Sequence, residues 1–166
     1  FGKLPYELPV GFRSTILAFP LAVAPVLIGL QVNNPNLMMA SFLILTLAIM
    51  SFGYQPEPKE YIWMNQRSPS QFLWYTLRIT LIASQSILLP FSTLLIVLSS
   101  ADWIIVILIH LISTLFILAL RLAKYSAYPN EIGVAQALLL GLCFWFPPLL
   151  LVVVPKFFKD GKQRLT

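Results

Sequence analysis

ITLIASQSILLPFSTLLIVL (residues 79–98) and, after the break Ser99–Asp102, WIIVILIHLISTLFILAL (residues 103–120) decide the fold. Neither stretch holds a charged side chain. Each is close to the roughly 20 apolar residues that carry a helix across a hydrocarbon core about 30 Å thick. The break between them reads as a turn, with Ser99 able to cap the following helix and Asp102 in its first turn suiting the helix dipole.

Working outward, three more apolar segments are predicted, at about 12–31, 37–52 and 132–155. The expected fold class is an all-α integral membrane protein, a single domain bundling about five transmembrane segments. Asn33-Asn34-Pro35-Asn36 should join the first two as a tight hairpin, because Asn tolerates left-handed backbone and Pro fixes one dihedral. Between Gly53 and Arg78 lies the longest polar loop. Residues 59–66 read there as a short interfacial helix, with Tyr61, Ile62 and Met64 on its apolar side. Ser68-Pro69-Ser70-Gln71 then carries a helix start, with Ser68 as N-cap, Pro69 at the first helical position and Gln71 completing a capping box. Trp74 and Tyr75 follow, where amphipathic rings prefer a membrane–water interface.

Composition excludes several classes. A soluble domain carries about 25% charged residues; this chain of 166 residues has 10%, with 58% hydrophobic. A soluble fold of this size would leave much apolar surface in water. The net charge of +5 comes from eleven Lys and Arg confined to short polar stretches, as in residues flanking membrane spans, so no nucleic-acid interface is expected. The single cysteine, Cys143, and the single histidine, His110, supply neither an internal disulfide nor a zinc ligand set. With no phosphate loop, nucleophile elbow or zinc-protease helix, no enzyme activity is expected. The chain opens on Phe1, and its first apolar run is read as a retained span, because a cleaved signal peptide would already be gone.

Basic residues orient the spans. Lys3 and Arg13 precede the first, Lys59, Arg67 and Arg78 follow the second, and Arg121 and Lys124 follow the fourth; the loops after the first and third have none. The N-terminus and residues 53–78 are therefore expected on the cytoplasmic side of the inner (plasma) membrane. Segment five breaks the pattern. If it spans, Lys156, Lys159, Lys162 and Arg164 lie outside. Pro147-Pro148 at its middle allows either a kinked span or a re-entrant segment.

His110, at membrane depth, is the main candidate among polar side chains, because an ionisable group there is costly. It is either a ligand for haem or chlorophyll, a proton relay or a substrate contact, or else a neutral imidazole bonded to a neighbouring helix, with Ser113 and Thr114 close by. No cofactor is otherwise expected. Cys143 reads as a small buried hydrophobe, and the basic tail as an interfacial anchor for anionic headgroups.

The loop carries a resemblance. Glu60, the amphipathic stretch through Met64 and Asn65, then Ser68-Pro69, Phe72-Leu73 and Arg78 resemble the cytoplasmic loop of ABC-2 type transporter permeases. The resemblance covers about 25 residues and the order of the spans. It implies a coupling helix that docks into a separate ATPase subunit, with Glu60, Met64, Asn65, Ser68, Pro69 and Phe72 lining or supporting that contact. The family normally has six spans with two short re-entrant helices before the last, which this chain does not reproduce. The implied function is a permease subunit of an ABC-type exporter. The competing reading is a non-catalytic accessory or assembly subunit of a larger respiratory, photosynthetic or secretory complex. Either way the expected partners are membrane lipids and an ATPase or other membrane subunits, within an oligomer.

Overall fold

The computed structural model describes Gly11, Arg13 and residues 16–52, 67–98 and 102–165. It is all-helical, with no strand among the described residues. The helices are α1 (Ala18–Gln31), α2 (Pro35–Ser51), α3 (Pro69–Leu98), α4 (Trp103–Ala127), α5 (Val134–Trp145) and α6 (Leu150–Arg164), with a 3-10 turn at Pro147–Leu149. Two of them, α3 with 30 residues and α4 with 25, are long and apolar enough to cross a membrane. The interfacial helix expected at 59–66 and the turn at Ser99–Ala101 lie outside the described residues.

The chain forms two compact units, Phe1–Phe52 with Ala83–Thr114 and Gly53–Ile82 with Leu115–Thr166, so α3 and α4 each contribute to both.

In the first unit, α1 and α2 form a hairpin made by asparagines. Asn33 takes the left-handed conformation, φ 51°. Its amide and that of Asn34 donate back to the Leu30 and Gly29 carbonyls at 3.4 and 2.8 Å, a Schellman closure of α1. The Asn34 side chain then accepts from the amides of Asn36 and Leu37 at 3.0 and 3.4 Å, capping α2. The two helices come close because Gly29 has no side chain: a Cβ there would stand 2.6 Å from Met38 Cγ and 3.0 Å from the Asn34 carbonyl oxygen.

In the second unit, α3 opens with the capping box, the Ser68 amide donating to Gln71 Oε1 at 3.3 Å. The first turns of α3 pack on the last turns of α4: Phe72 is 4% exposed and stands edge-on to Tyr125, centroids 5.5 Å apart. The chain then turns through a cis Tyr128–Pro129 bond into α5.

The segment expected as one at 132–155 is two helices. Phe146 leaves the helical region (φ −131°, ψ 82°), which proline disfavours for the residue before it, and Pro147 and Pro148 start the 3-10 turn. The break is a reversal rather than a kink. Near the end of α5, Phe144 meets Phe116, nine residues before Tyr125 in α4, at 6.3 Å. Near the end of α6, Gly161 lies against Tyr125 and Leu73, so that a Cβ there would stand 3.4 Å from Tyr125 Cβ. Trp74 and Phe158 also meet, at 5.4 Å. So α5 runs back along α4 and α6 returns to the level at which α5 began. Leu150, Val153, Phe157 and Gly161, spaced by three or four residues, form the buried face of α6, while Lys156, Lys159, Lys162 and Arg164 are exposed.

The glycine contacts predict opposite signs for two like substitutions. Gly29→Ala should destabilise by about 1–3 kcal/mol through overpacking. Gly141→Ala, where a Cβ meets nothing within 4 Å, should stabilise by up to about 1 kcal/mol through helix propensity. Thermal unfolding of the purified variants, followed by circular dichroism, measures both.

Candidate functional site: a part-buried polar chain around His110

His110 lies on α4 in the first unit, among polar side chains that the apolar pattern conceals. Its Nε2 is 2.9 Å from Gln85 Oε1 of α3. Gln85 Nε2 donates to Thr114 Oγ1 at 2.9 Å, and Thr114 Oγ1 donates to the His110 carbonyl at 2.9 Å. The directions follow from one proton. A hydroxyl has a single hydrogen, and Thr114 gives it to the His110 carbonyl, so Thr114 accepts from Gln85. That fixes the Gln85 amide with its nitrogen at Thr114 and its oxygen at the ring. The ring nitrogen facing it must then carry the proton, which leaves His110 a neutral Nε2–H imidazole. Nδ1 is the lone-pair nitrogen, buried and without a hydrogen-bond partner.

Phe42 of α2 stands beside the ring, with centroids 5.9 Å apart, and Phe91 lies 6.1 Å from Phe42 on another side. Thr46 Oγ1 lies 3.1 Å from Ser113 Oγ and donates to the Phe42 carbonyl at 2.8 Å. The buried Ser41 hydroxyl donates to the Met38 carbonyl. Three helices thus share a polar seam built from hydroxyls, one amide and one imidazole. It carries no formal charge, and interhelical hydrogen bonds of this kind contribute about 0.6–2 kcal/mol each in an apolar phase.

The seam matches one of the alternatives for His110, a neutral imidazole bonded to a neighbouring helix. A haem or chlorophyll ligated at Nε2 would have to displace Gln85; only Nδ1 has a lone pair free. Ser113 and Thr114 take part, one through Thr46 and the other through Gln85. Gln85 was legible as the one amide in residues 79–98, but its partner was not, because the pairing depends on how α3 and α4 register.

The residues expected to meet a partner separate. Glu60, Met64 and Asn65 lie outside the described residues. Ser68 and Pro69 are at the start of α3, with Ser68 exposed. Phe72 is buried under Tyr125, so it can support a contact at this end of α3 but presents no surface to a partner. Among the described residues no group of three or more His, Cys, Asp or Glu is arranged to hold a metal ion. Cys143 is buried.

Gln85→Leu removes both partners at once and strands the His110 N–H and the Thr114 lone pair. It should cost about 1–3 kcal/mol. His110→Leu combined with Gln85→Leu should cost less than the sum of the single changes, with a coupling of about 0.5–3 kcal/mol. A denaturant or thermal double-mutant cycle on the detergent-solubilised chain measures it.

Comparison with known proteins finds no family model, no curated protein and no solved structure that matches this chain.

Proposed function

We propose that the chain is an integral membrane protein that serves as the permease subunit of an ABC-type exporter, driven by a separate ATPase. The membrane part of this reading rests on burial. In the most apolar stretches of α3 and α4 only 22% of residues are buried in either helix. The core helix of a soluble protein is mostly buried, and soluble monomers rarely expose broad apolar patches. Leu89, Leu94 and Val97 on α3 and Ile104, Leu108 and Leu111 on α4 are all exposed. The reversal at Phe146–Leu149 also removes a conflict of charge. With α6 back beside Leu73 and Tyr125, its four basic residues share a side with Arg67, Arg78, Arg121 and Lys124, which supports a cytoplasmic placement of this end by the positive-inside rule.

The observation that carries the transport reading is the polar seam at His110. A passive apolar bundle has no need to bring an imidazole, an amide and four hydroxyls together between three helices at membrane depth. A seam of uncharged hydrogen bonds can exchange partners as helices tilt, and the long α3 begins directly after the loop that resembles a coupling helix. An ATPase pulling on residues 59–68 would act on α3 as a lever. The exposed apolar periphery favours a second reading, an accessory subunit whose neighbours are other membrane helices rather than an ATPase.

Topology is checked by labelling. In a Cys143→Ala background, single cysteines at Ser68 and Gln163 should react with a membrane-impermeant maleimide from the same side, and a cysteine at Asn36 from the other. Reaction of Ser68→Cys and Gln163→Cys from opposite sides would show that segment five spans. For the partner, the tagged chain solubilised in a gentle detergent should bring down a nucleotide-binding ATPase in stoichiometric amount. Glu60→Ala or Ser68→Trp should abolish that co-purification, while Phe72→Ala should mainly lower stability. A large membrane complex without any ATPase would sink the permease reading and leave the accessory one.

A further inference from the structure

The second unit holds a cavity of about 620 Å³ that the transport reading does not use. Most of its lining comes from one stripe of α3 and the residues just before it: Arg67, Gln71, Trp74, Tyr75, Arg78 and Leu81. From Gln71 to Leu81 these positions recur at intervals of three and four, so they share a helix face about 15 Å long at 1.5 Å per residue, with Arg67 just before it. The stripe is graded. Arg67 and Gln71 are at its outer end. Leu81, with Leu77 and Leu118 of α4, makes its inner end.

The two arginines, eleven residues apart in the chain, both line the cavity. Arg67 reaches forward to stack on the Tyr75 ring, its central carbon 3.7 Å from the ring centroid. Tyr75 and Arg78 are neighbours on successive turns. Helical side chains also lean towards the N-terminus, which carries Arg78 back towards Tyr75. A stacked guanidinium keeps its in-plane N–H donors, so Arg67 can still grip an oxyanion edge-on. Gln71 spends its carbonyl oxygen on the Ser68 amide, which leaves its amide N–H groups as donors. Everything polar in this lining therefore donates or is cationic. The described carboxylates of this unit, Glu131 and Asp160, are not part of it.

An inorganic anion or a nucleotide would satisfy the donors but leave the leucine end in contact with water. A neutral lipid would fill the leucine end but leave two cations unmatched. A group with a diester phosphate at one end and hydrocarbon at the other satisfies both. Trp74, exposed beside the cavity, and Tyr75 suit the level of glycerol and headgroup. We propose that this groove binds one anionic phospholipid, its phosphate gripped by Arg67, Arg78 and Gln71 and its acyl chains running along Leu77, Leu81 and Leu118. The site rests on the membrane reading but not on the transport reading. It would anchor the start of α3 to the leaflet, next to the loop through which a partner would act.

Native mass spectrometry of the full chain, released from detergent micelles doped with equal phosphatidylglycerol and phosphatidylcholine, tests this. The expected result is one retained phosphatidylglycerol, preferred about tenfold or more, since charge-assisted guanidinium–phosphate bonds are the strong ones. Arg67→Gln with Arg78→Gln should erase the preference, whereas Lys156→Gln with Lys159→Gln on α6 should leave it intact. Equal retention of the two lipids by the unaltered chain overturns the proposal, as does a preference that survives the double arginine change. Replacement of the lipid adduct by a phosphate adduct on adding inorganic phosphate would assign the site to a free anion and overturn it too. Flotation with vesicles of phosphatidylcholine alone separates the two layers. A chain that floats without preferring phosphatidylglycerol loses this site only, and one that fails to float loses the membrane reading with it.

Discussion

Every peptide unit brings a donor and an acceptor that must be paired, and this chain has few polar side chains with which to pair them. In an apolar surrounding the local solution is the helix, which pairs each amide within its own segment. The described residues follow that constraint closely. At two helix junctions a specific group takes over the orphaned amides or carbonyls: Asn33 and Asn34 between α1 and α2, and Ser68 with Gln71 at the start of α3. Side chains are then free to be apolar and exposed, as Leu89, Val97, Ile104 and Leu108 are.

Against that background the few polar side chains inside the units acquire weight. Around His110 they are wired in one direction by the single proton of Thr114, so the imidazole is neutral and its tautomer set. Around Tyr125 the wiring is steric. This fully buried ring takes Phe72 edge-on, and α6 packs on the same residue at Gly161.

Much of this architecture was readable in advance at the level of local chemistry. The asparagine hairpin, the capping box at Ser68–Gln71 and the apolar runs behind α3 and α4 follow from turn residues, caps and hydropathy, which act within a few positions of chain. The candidate site was half legible. His110, Ser113 and Thr114 stand out in an apolar stretch, but Gln85 gained its role only through the register of α3 against α4. Phe72, read as lining or supporting a partner contact, is covered by Tyr125, a residue 53 positions away that no local pattern connects to it.

The apolar character of the chain, the capped starts of α2 and α3 and the concentration of its basic residues were determined by the sequence alone, because hydropathy and capping are properties of short windows. Whether the chain over residues 132–155 runs on in one direction or doubles back was not, since two prolines at the midpoint permit both. The tertiary structure decided it through contacts at long sequence separation, Phe144 on Phe116 and Gly161 on Tyr125. The same holds for the pairing of Gln85 with His110 and for the stacking of Arg67 on Tyr75 in the cavity that Arg78 also lines. Each depends on which faces meet once helices pack, and a short window of sequence does not contain that information.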